Sequence, residues 1–113
     1  MIRRLDSVVF DTRDLPAIRH FYGEVLGLAV GSFERDGRMV PDESASYVNF
    51  DVGGTLLGFE TANTAQVGTV VFQVDGLPAL LADFSAKGVT PVKTHQTFAI
   101  IRDPEGREVI LQA

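Results

Sequence analysis

At 113 residues with a formal charge of −5 and no cysteine, the chain has the length of one domain, able to bury roughly two-thirds of its unfolded surface without staples. A disulfide framework and thiolate chemistry are excluded, which suits a cytoplasmic protein. The ten lysines and arginines are scattered along the chain, so neither a nucleic-acid nor an anionic-membrane partner is expected.

The opening run reads as a strand over 5–12. It is bracketed by Asp6 and Asp11 and is far too short for a signal peptide or a membrane span. Ile18, Phe21, Tyr22, Val25 and Leu26 follow at helical spacing, behind Asp14 as a cap, with Pro16 in the first turn and Gly27 as the stop. Two-residue alternation marks strands over 28–35, 46–51 and 55–61. Residues 34–46 read as a long polar connection, either mobile or a lid, with Phe33 at its base and Met39 within it placed to close over a ligand. Alternation resumes over 68–74. Leu77, Leu80, Leu81 and Phe84 then give a second helix ending at Gly88, and strands over 89–94, 97–102 and 107–112 complete the chain.

Repetition organises these elements. Val8-Val9-Phe10 and Leu15-Pro16-Ala17 return sixty-two residues later as Val70-Val71-Phe72 and Leu77-Pro78-Ala79, so the fold class is α+β, a single domain of two tandem βαβββ modules over about 1–62 and 63–113. Asp103-Pro104-Glu105-Gly106 has the residue order of a type I turn, and Gly53-Gly54 stands in the matching place of the first module. That pattern favours a turn over a catalytic role for Asp103 and Glu105.

Strand parity separates two faces. One is wholly apolar, running from Val8 and Phe10 through Val48, Phe50, Leu57 and Phe59 to Val70, Phe72, Ala99, Ile101, Val109 and Leu111, as packing beneath two helices requires. The other mixes apolar Val9, Leu56, Val71, Ile100 and Ile110 and the aromatics Tyr47 and Phe98 with Ser7, Asn49, Thr69 and Gln73 and the carboxylates Asp51, Glu60 and Glu108. A solvated sheet face and a ligand-binding concavity are the two readings of such a mixture. Tyr47 and Phe98 likewise suit either ligand contact or a dimer seam.

Phe21-Tyr22-Gly23-Glu24-Val25-Leu26-Gly27-Leu28 after a strand, together with Asp103-Pro104-Glu105-Gly106 before the last one, resembles the vicinal oxygen chelate superfamily of glyoxalases, bleomycin-resistance proteins and extradiol dioxygenases. The resemblance covers the whole chain. It implies a cupped mixed sheet with helices on the convex face, a homodimer, and metal ligands on the first and last strands of each module. Carried over, those ligand positions fall on Ser7 and Gly58 in the first module and on Thr69 and Ile110 in the second, none of which offers a carboxylate or imidazole. No metal and no cofactor are therefore expected.

The expected function is metal-independent binding of a small aromatic or cationic compound in a dimer cleft, in the manner of bleomycin-resistance proteins. Ser7, Phe33, Tyr47, Asn49, Glu60, Thr69, Phe98 and Glu108 are the expected ligand-binding residues, with none assigned to catalysis. The alternative is a glyoxalase-like or dioxygenase-like enzyme with a displaced divalent ion on Glu60, Glu108 and His95, or with one of those glutamates as a general base. His20 is read as a surface residue, and a third reading makes the chain a module that only pairs with another protein.

Overall fold

The structure, a computed structural model, describes residues 1–113. Ten strands and two helices run in the order β1 (Ser7–Thr12), α1 (Leu15–Ile18, continued by a π-helical segment Arg19–Val25), β2 (Ala29–Val30), β3 (Ser32–Arg35), β4 (Arg38–Pro41), β5 (Tyr47–Val52), β6 (Thr55–Thr61), β7 (Thr69–Gln73), α2 (Leu77–Ala86), β8 (Lys93–Thr94), β9 (Phe98–Arg102) and β10 (Glu108–Gln112). They divide into two compact units, Met1–Gln66 and Val67–Ala113.

Each unit carries the same four-stranded mixed sheet. The strand order is β1-β6-β5-β2 in the first and β7-β10-β9-β8 in the second, with β1–β6 and β7–β10 parallel and the remaining pairs antiparallel. The chain is thus α+β with a βαβββ module written twice. None of its helices is long and apolar enough to cross a membrane.

Parity is right for the core. Val48, Phe50, Leu57 and Phe59 are buried in the first unit, and Ala99, Ile101, Val109 and Leu111 in the second. Tyr22 packs on this face, its ring 4.7 Å from Phe59 and 6.0 Å from Phe50. Val8, Phe10, Val70 and Phe72 share the parity but not the depth, being half-buried or exposed, because β1 and β7 are the outer strands of their sheets.

Four elements differ from the sequence reading. The first helix leaves α geometry after one turn, and Leu26 N donates to Phe21 O at 2.9 Å, five residues back. The wider turn takes up an extra residue and turns the following positions off the α phase, so Leu26, expected in the core, is only half-buried. The second strand is broken at Gly31, and the hairpin of β3 and β4 runs from Ser32 to Pro41, into the stretch 34–46 that reads from the sequence as a long connection. Asp36 (φ 52°) and Gly37 (φ 74°) turn that hairpin, a two-residue connection with both φ positive whose twist suits the flanking strands. Finally, the strand read over 89–94 shrinks to Lys93 and Thr94, with Val92 N adding a bond to Ile100 O at 2.8 Å.

The two turns read from the sequence form as expected. Gly53 and Gly54, both at positive φ, join β5 to β6. In the second unit Gly106 N donates to Asp103 O at 3.0 Å. The Asp103 carboxylate closes this turn by accepting from the backbone of Glu105 and Arg107 and from Arg107 Nη1 at 3.0 Å, with Arg107 fully buried. A burial so complete was not legible from a charged residue at a strand edge.

Candidate functional site

Strand register sets the mixed face of the first unit out in rows. Ser7, Leu56 and Asp51 form one row, Val9, Gly58 and Asn49 the next, and Asp11, Glu60 and Tyr47 the third. Side chains directly opposite on such a ladder have Cβ atoms about 4.5–5.5 Å apart, so Tyr47 and Glu60 are immediate neighbours. Ser7 sits two rows from them on exposed β1.

Asn49 organises the middle of this face. It is 1% exposed, and its Nδ2 donates to Asp42 Oδ2 at 2.8 Å and to the Tyr47 phenolic oxygen at 2.9 Å. A carboxylate only accepts, so the amide nitrogen must face Asp42, and both of its protons are then committed. Asn49 Oδ1 has no hydrogen-bond partner. It lies against Gly31, where a Cβ would stand only 2.1 Å from it. A buried orphan oxygen costs about 1–3 kcal/mol, which the charge-assisted bond to Asp42 offsets.

Arg19 ties the preceding loop to the first helix. Its Nη2 donates to the carbonyls of Ser44 and of Tyr47, and its Nε faces Glu43 at 3.6 Å. Asp42 is the residue before that anchored loop, so the helix, the loop and β5 together hold the Asp42–Asn49–Tyr47 set in place.

Tyr47 bends back over Gly58. A Cβ at Gly58 would lie 3.1 Å from the phenolic oxygen and 3.2 Å from Val9 Cγ2, so the ring and Val9 take the space that a side chain at 58 would need. The position to which the resemblance assigns a metal ligand therefore cannot carry one unless Tyr47 moves, and Ser7, a neutral hydroxyl, stands a row away. Such a donor set does not fit a divalent ion, which needs several anionic or imidazole donors on one point.

The second unit presents Thr69, Glu108 and Arg102 in one row, Val71, Ile110 and Ile100 in the next, and Gln73, Gln112 and Phe98 in the third. Ile110 fills the middle as an apolar wall. Phe98 is half-buried, with His95 stacked on it at 5.0 Å and Lys93 Nζ 5.8 Å from its ring centre.

Of the residues expected to bind ligand, the structure brings Tyr47, Asn49 and Glu60 together, and separately Thr69 beside Glu108. Phe98 lies two rows from Thr69. Phe33 stands on the separate β3–β4 hairpin, opposite Val40 and 43% exposed. No group of three His, Asp or Glu is placed to hold a metal ion, and within the second unit Glu108 lies two rows from Phe98, on which His95 stacks. His20 is a surface residue, paired with Glu24 at 2.7 Å.

Sequence reasoning missed Gly31, Asp42 and Arg19. A lone glycine inside a strand pattern signals close approach of another group, and Gly31 carried that signal. Asp42 and Arg19 carried none, since a loop carboxylate and a helix arginine are ordinarily solvated.

The sequence model of the glyoxalase-like domain family matches residues 7–111. Among solved structures the fold is similar to an integron cassette protein from the mobile metagenome of Vibrio cholerae (21% identity over 98% of this chain and 94% of that one, TM-score 0.75). It is also similar to a lactoylglutathione lyase from Agrobacterium tumefaciens (20% identity, 96% and 92% covered, TM-score 0.74). A Bacillus subtilis protein of unknown function, described as a glyoxalase/fosfomycin-resistance protein, matches at 22% identity with 96% and 88% covered and a TM-score of 0.67. No curated protein matches the sequence. At these identities the likeness speaks for the fold alone.

Proposed function

The chain belongs to the glyoxalase-like domain family, and we propose that within it the protein binds and sequesters a small aromatic or cationic compound without a metal, as bleomycin-resistance proteins do. One observation carries the reading: Tyr47, held by Asn49 and Asp42, packs over Gly58, where a metal-dependent member would place a ligand. What remains on this face is an aromatic ring, apolar and neutral hydrogen-bonding groups, and the carboxylates of Asp11, Asp51 and Glu60, the last directly beside the ring. A ring next to an acidic group favours a flat cation, through stacking and cation–π attraction of about 0.5–2 kcal/mol together with direct charge pairing.

The protein would act in the cytoplasm as a homodimer. Supporting this, β1 and β7 are end strands of their sheets and carry exposed apolar side chains, with Val9 at 41% and Val71 at 59%, the kind of edge that a second chain covers. Calorimetric titration with cationic aromatic compounds, bleomycin among them, tests the proposal. Saturable binding with the compound recovered intact is expected, and recovery of a chemically altered product would sink it.

A further inference from the structure

Resting on that binding reading, we propose that Tyr47 donates its phenolic proton to an oxygen acceptor of the ligand above Gly58, while Glu60 beside it holds a cationic group of the same molecule. The proton count on Asn49 leads there. One amide proton goes to Asp42 and the other to the Tyr47 oxygen, so that oxygen is an acceptor within the protein and its own proton has no acceptor there. Asn49 is buried and held by Asp42, and it accepts an orphaned Oδ1 to keep this orientation. The phenol is therefore a donor of fixed position, half-buried and walled by Val9.

Glu60 supplies the second point. It lies opposite Tyr47 in the ladder, is exposed, and makes no ion pair. With Cβ atoms about 5 Å apart, a phenol donor and a carboxylate suit one small molecule bearing a carbonyl-type acceptor and an ammonium or amidinium roughly a ring's width away. Glu60, with Asp11 in the same row and Asp42 behind Asn49, disfavours an anionic acceptor, so the oxygen belongs to an amide, ketone or ether. A ring lacking that oxygen would cover the phenol and leave its proton unpaired, so the site selects against plain aromatic cations.

Three probes test this by NMR titration of the full chain: 3-(aminomethyl)benzamide, with both groups; benzylamine, without the oxygen; and benzamide, without the charge. The first should bind about tenfold more tightly than benzylamine, the ratio that one well-formed hydrogen bond supplies. Tyr47→Phe, which keeps the ring, should abolish that preference, with benzylamine gaining affinity because no phenol proton is left unpaired beneath it, and Glu60→Gln should weaken both ammonium probes but not benzamide. A preference absent in the unaltered protein, or surviving in Tyr47→Phe, overturns the inference while leaving sequestration standing. Failure of every probe to saturate overturns both.

Discussion

Replacing Gly31 by alanine is expected to dismantle the Asp42–Asn49–Tyr47 set from the side facing away from the ligand. Gly31 does not adopt positive φ, so alanine carries no backbone penalty, and its effect comes from space alone. The new Cβ would stand 2.1 Å from Asn49 Oδ1 and 3.1 Å from Leu56 Cδ2, a clash that expels the amide. Its departure loses a bond to a carboxylate, worth about 1.5–3 kcal/mol, and a neutral bond of about 0.5–1.5 kcal/mol, and recovers about 1–3 kcal/mol as the orphaned oxygen reaches water. With Leu56 displaced as well, the net loss is about 2 kcal/mol, a fall in Tm of about 8 °C for a domain of this size. Asn49→Ala loses the same two bonds and removes the orphan, so it should cost about 1–2 kcal/mol on its own. In that background the Gly31→Ala change should add little, because the atom it strikes has gone. Differential scanning fluorimetry of the two single variants and the double variant measures the coupling, expected at about 1 kcal/mol or more. A Gly31→Ala protein within about 2 °C of the parent, or an equal loss in both backgrounds, would refute the packing argument.

Arg107→Leu should strand Asp103 in the interior without its guanidinium and cost about 3–5 kcal/mol. In urea, with a slope of about 1–3 kcal/mol/M, the unfolding midpoint should fall by roughly 2 M, and a barely shifted midpoint would contradict a structural role for the pair. Gly37→Val puts a branched side chain at φ 74°, so hydrogen exchange should show the amides of β3 and β4 losing protection while the β5 and β6 amides keep theirs. His20→Ala removes only an exposed pair with Glu24 and should alter stability by less than about 0.5 kcal/mol in the same fluorimetric assay. Divalent zinc, manganese or nickel should leave Tm unchanged, since a specific ion would raise it by mass action; a saturable rise with any of them would restore the metal-dependent reading.

Much of the fold was written in local pattern. The Val-Val-Phe and Leu-Pro-Ala repeats announced two modules, and period-two alternation placed Val48, Phe50, Leu57 and Phe59 on one face because a strand's side chains alternate by geometry whatever surrounds them. The β3–β4 hairpin was not legible because only the 28–35 side of Asp36-Gly37 shows strand alternation, while Arg38-Met39-Val40-Pro41 on the other side does not, so the turn signal had one strand and no partner for it. The π-helical turn escaped because Ile18, Phe21, Tyr22 and Val25 satisfy an α pattern equally well, and only Leu26 reveals the lost phase.

The chain's own residues settled that the positions to which the resemblance assigns metal ligands read Ser7, Gly58, Thr69 and Ile110, none with a carboxylate or imidazole, because coordination depends on atoms that a sequence names directly. Tertiary structure alone decided what fills the space over Gly58. Tyr47 reaches over Gly58 only because β5 and β6 pair in one register, and it is oriented only because Asp42, brought in by a loop that Arg19 anchors, holds Asn49 beneath it. Such a set joins residues from a helix, a loop and two strands, and its proton count exists only once burial denies each group its water.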